Sequence, residues 1–63
     1  MESMIENLLN GNISDAKHQA KRFSLIKIKN QCADEWGMTH NKAWHTAAFL
    51  KGEVDFQTYC DAE

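Results

Sequence analysis

The sequence contains no proline and only three glycines in 63 residues. Helix-breaking signals are therefore confined to Gly11, Gly37 and Gly52, and nothing else in the chain forces an interruption. Two cysteines, Cys32 and Cys60, are too few for the disulfide framework that small secreted domains use. The longest uninterrupted apolar run is four residues, Ala47 to Leu50, which excludes a membrane-spanning helix. The opening MESMIENLLNGN is acidic and polar, without the basic start and apolar stretch of a signal peptide. These absences lead to the expectation of a cytosolic protein with free thiols and no membrane association. Charge of one sign is also lacking: 7 basic against 9 acidic residues give a net charge of −2. That balance argues against a general nucleic-acid binder, which carries a basic excess.

What is present is helical punctuation. Each glycine follows a stretch of helix-forming residues, the position where a left-handed residue ends a helix. Ser3 and Glu6 have capping-box spacing, and Ile5, Leu8 and Leu9 then form a short apolar face, so a first helix runs from Ser3 to Asn10. Ser14 and Asp15 suit the start of a second, which continues without an obvious breaker to Trp36. Thr39 or Asn41 caps a third helix that ends near Lys51. Asp55 caps a short fourth that carries Phe56, Tyr59 and Cys60, and its two aromatics are expected to fold back over the preceding hairpin. No stretch alternates apolar and polar residues as a strand does. The expectation is a single all-α domain over residues 1–63: a short N-terminal helix, a long central helix, a third helix after Gly37 and a short C-terminal helix.

The long central helix is the difficulty. At about 100° per residue, Ile13, Ala16, Ala20 and Phe23 fall in one arc, while Leu25, Ile28, Cys32 and Trp36 fall in another. The two arcs lie roughly 150° apart on the wheel, with Ile26 on a third side. The helix breaks near Ser24, or it is sandwiched within one chain, or one stripe faces a second copy. A chain this short buries only about 60% of the surface it exposes when unfolded. The reading favoured is therefore a two-fold helical homodimer, with Phe23, Leu25, Ile26, Ile28 and Phe49 as candidate contacts. Phe49 is included because it lies opposite Ala43, Trp44, Ala47 and Leu50 on the third helix. Five of the seven basic residues lie between Lys17 and Lys29. Of these, Lys17, Lys21, Arg22 and Lys29 share an arc, and with His18 they form a candidate basic face for a partner.

Three constellations bear on chemistry. The run Ala33-Asp-Glu-Trp-Gly37-Met38-Thr39-His-Asn-Lys-Ala43-Trp44 resembles a helix-turn-helix motif, whose second helix enters the major groove. That resemblance would place His40, Asn41, Lys42, His45 and Thr46 toward DNA. Ala43 stands where a bulkier aliphatic is usual, and Asp34 and Glu35 lie near the turn, so a plain helical hairpin is the preferred reading. Cys32, His40, His45 and Cys60 have zinc-ligand chemistry, but their C-x7-H-x4-H-x14-C spacing fits no compact finger. A Cys–His nucleophile pair would need a pocket and an orienting group that so short a chain hardly builds. No catalytic residue, metal or cofactor is expected.

Two segments carry a family resemblance. Asn10-Gly-Asn-Ile-Ser-Asp-Ala-Lys-His-Gln-Ala-Lys-Arg-Phe-Ser-Leu25 and Ala48-Phe-Leu-Lys-Gly-Glu-Val-Asp-Phe-Gln-Thr-Tyr-Cys-Asp-Ala-Glu63, about half of the chain, resemble the small 63-residue early protein of the exo–xis region of lambdoid bacteriophages. The resemblance implies an early regulatory protein in the host bacterial cytoplasm that tilts development toward lysis. It would act by binding a host or phage protein, with a divergent helix-turn-helix DNA binder as the alternative. It supplies no catalytic motif.

Overall fold

A computed structural model describes residues 3–62, and every regular element in them is a helix. The order is α1 (Met4–Leu9), α2 (Ile13–Ala20), α3 (Leu25–Trp36), α4 (His40–Leu50) and α5 (Phe56–Asp61). Four N-termini are closed by a side chain that accepts an orphan backbone N–H: Ser3 from Glu6, Ser24 from Lys27, Thr39 from Lys42 and Asp55 from Thr58. All three glycines have positive φ. At Gly11 and Gly52 the following residue closes the helix, Asn12 N–H onto the Asn7 carbonyl and Glu53 N–H onto the Ala48 carbonyl, both at 2.8 Å.

The expected long central helix is two helices. After Ala20 the chain tightens: the amides of Lys21, Arg22 and Phe23 bond to carbonyls three residues back. Ser24 then turns extended (φ −73°, ψ 160°) and caps α3. The break explains why the two apolar stripes were out of phase. Ala16 and Ala20 on α2 and Ile28 and Cys32 on α3 are all fully buried in one core, each stripe aimed from its own helix axis. Most of both stripes is thus covered within one chain, while Trp36 at the end of the second stays 38% exposed.

The core is completed by Met4, Ile5 and Leu8 of α1, by Ala43, Ala47, Phe49 and Leu50 of α4, and by Tyr59 of α5. α3 packs chiefly on α4 and α1 on α2, with α5 against α4 and a narrower contact between α2 and α4. The buried alanines of α2 and α4 let helix backbones approach closely. The one fully buried polar side chain of α4, Thr46, returns its hydroxyl to the Lys42 carbonyl at 2.7 Å.

Candidate functional site

The basic face divides once the central helix is broken. Lys17, His18 and Lys21 ride on α2, Arg22 sits in the turn and Lys29 is on α3. Lys29 is drawn away: its ammonium lies 5.3 Å from the Trp44 ring centre and donates to Asn30 Oδ1 at 3.1 Å. Arg22 lines a different hollow of about 300 Å³ with Met4, Phe23 and the carboxylate-bearing Glu35. His18 is exposed and belongs to neither. What remains together is Lys17 and Lys21, one helical turn apart. To them the fold adds Lys51 from the end of α4.

These three lysines, with Leu50 and Gly52, line an open recess of about 250 Å³. Each cation is positioned differently. The Lys17 ammonium lies 4.5 Å from the Phe49 ring centre, within cation–π range. Lys21 is exposed. Lys51 donates to the Phe23 carbonyl at 2.7 Å and the Ala20 carbonyl at 3.2 Å, capping the carbonyl end of α2 and the turn after it. Nothing local in the sequence announces Lys51, since its partners lie 28 and 31 residues away.

The expected dimer contacts separate into three kinds. Ile28 and Phe49 are not surface residues: Ile28 is inaccessible and Phe49 only 3% exposed. Phe49 is covered because α5 folds back, stacking Tyr59 on it at 5.0 Å and setting Phe56 edge-on at 5.6 Å. Phe23 and Leu25 are half-buried against the core. Ile26 alone stands well exposed, at 60%.

The residues assigned to DNA do not share a free face. His40 and Asn41 are exposed at the start of α4. Thr46, however, is fully buried, its hydroxyl directed to the Lys42 carbonyl and the Met38 sulfur. Lys42 is half-buried and committed inward: its ammonium donates to the Tyr59 carbonyl at 2.8 Å and lies 4.1 Å from the Tyr59 ring centre. His40 Nε2 accepts from the Trp44 indole at 2.8 Å, and His45 Nδ1 lies 2.8 Å from the Asn41 carbonyl.

Cys32 and Cys60 are both free thiols. Burial pushes the Cys32 thiol up to about 11, so it stays protonated and acts as a small hydrophobe. Among the described residues, no three His, Cys, Asp or Glu side chains are placed to hold a metal ion. No helix among them is long and apolar enough to cross a membrane. Comparisons with family models, curated proteins and solved structures find no match to this chain.

Proposed function

We propose that this chain is a non-catalytic binding module: an early regulatory protein of the lambdoid-phage kind, working in the bacterial host cytoplasm through protein–protein contacts and favouring lytic development. The phage assignment rests on the resemblance of residues 10–25 and 48–63. The observation that carries the binding role is the lysine-lined recess. On a chain of net charge −2, three lysines line one opening and no carboxylate does. Capture from infected cells tests the reading. The unmodified protein should retain a defined partner that Lys17→Glu/Lys21→Glu loses. Identical captures by both would remove the recess from the binding role.

Two further parts of the reading are narrower. A two-fold homodimer would now centre on Ile26, since Ile28 and Phe49 are occupied within the chain. The helix-turn-helix reading keeps one favourable observation: α4 opens on exposed His40 and Asn41 after a left-handed Gly37. It would show as a salt-dependent mobility shift on operator DNA.

A further inference from the structure

The chemistry of the lysine recess narrows the class of partner. Its lining is mostly carbon, drawn from three lysines, Gly52 and the small exposed part of Leu50. Glu53, the next residue after Gly52, stays outside the lining. The opening lies at the C-terminal ends of both α2 and α4, where helix dipoles present partial negative charge. No backbone amide is available there. Lys51 N–H is bonded to the Ala47 carbonyl, Gly52 N–H to Phe49 and Glu53 N–H to Ala48. Phosphate sites draw on helix N-terminal amides, which this recess lacks; the helix C-termini oppose any anion, so attraction for one comes from the three lysines alone. Its donors are ammonium groups only. Lys51 has three N–H donors, of which two point at the Ala20 and Phe23 carbonyls, leaving one for a ligand. A singly charged group attached to an apolar body satisfies this arrangement better than a phosphate dianion or a nucleic-acid backbone.

We propose that the recess docks an acidic, partly apolar peptide segment of a protein partner, with its carboxylates on the Lys17, Lys21 and Lys51 ammonium groups and an aliphatic side chain against the carbon stems of those lysines. This rests on the protein-binding reading above and specifies it. The contact is electrostatic at its rim, so it weakens as salt rises.

The test is a nuclear magnetic resonance titration of the full-length chain with a short capped peptide of alternating glutamate and leucine. A peptide with lysine in place of glutamate, and inorganic phosphate, serve as the comparison ligands. Saturable shifts confined to Leu50, Lys51, Gly52 and the Lys17–Lys21 turn are expected with the acidic peptide alone. Affinity should fall about threefold in Lys21→Gln and about tenfold in Lys17→Gln/Lys21→Gln, the size of partly exposed ion pairs, with Lys27→Gln unaffected. Lys21 is exposed, so the single variant keeps the test readable if loss of the Lys17–Phe49 contact unfolds the double one. Three results would overturn the inference: shifts scattered over Lys27 and Lys29 as strongly as over the recess, saturation by phosphate at comparable concentration, or no saturable binding. The peptide experiment needs no phage partner. Peptide binding with no captured partner would therefore defeat the phage role and leave the recess chemistry standing, while capture without peptide binding would do the reverse.

Discussion

Between α1 and α2 the contact is partly polar. Asn7, almost fully buried, donates from Nδ2 to Gln19 Oε1 at 2.7 Å and accepts from Asn12. Between α3 and α4 the contact is apolar and close, with Ile28, Cys32, Ala43 and Ala47 all inaccessible. The N-terminal pair spends side-chain hydrogen bonds to fix how two short helices meet, because six and eight residues offer little apolar area. The longer hairpin relies on such links less, with the buried Thr46 hydroxyl reaching Met38 Sδ in its turn. Buried polar links specify geometry, whereas buried carbon supplies most of the stability.

That contrast can be broken experimentally. Ile28→Ala should be the most damaging change, costing about 2–5 kcal/mol through lost burial and an unfilled cavity. A domain this size has only about 3–9 kcal/mol in total, so a large drop in the urea midpoint is expected. Tolerance of this change would show that the hairpin is not the stabilising half. Asn7→Ala should cost about 1–2 kcal/mol, the price of leaving partly buried polar partners unmatched. Hydrogen exchange should show the loss concentrated in α1 and α2, and loss spread evenly over α3 and α4 would contradict the division into halves. The smallest effect concerns the C-terminal edge. Hydrogen bonds from Thr58 hold the Asp55 carboxyl below its ordinary range. A depressed folded value means that Asp55 stabilises α5 above the usual carboxylate range, and that this contribution is lost as the pH falls through the lowered value. The Thr58 amide resonance should report loosening of α5 in acid, and Asp55→Asn, which retains a capping oxygen without the titration, should abolish that pH dependence.

Much of the local structure was legible. Ser3, Thr39 and Asp55 cap as their positions suggest, and each glycine closes a turn. Phe56 and Tyr59 fold over the hairpin as their spacing implied. The break at residues 21–24 was hidden because no glycine or proline marks it. Its signal was the phase mismatch between two apolar stripes, which a second copy explained as well as a bend did. Phe49 was misplaced because a single-helix wheel ignores what a later helix brings. Thr46 looked like a surface polar residue, but its hydroxyl is satisfied by its own helix. Of the candidate site, Lys17 and Lys21 were legible from composition and spacing. Lys51 was not, since its role exists only when distant parts of the chain meet.

The Lys51 bond to the Ala20 and Phe23 carbonyls also bears on the order in which the molecule assembles. α1 with α2, and α3 with α4, join segments that are neighbours along the chain, so each pair closes a short loop at low entropic cost. The lysine bridge spans 31 residues and so closes a longer loop than either pair. Residues 20–23 are thus tied to the end of α4 by a contact that no local interaction replaces.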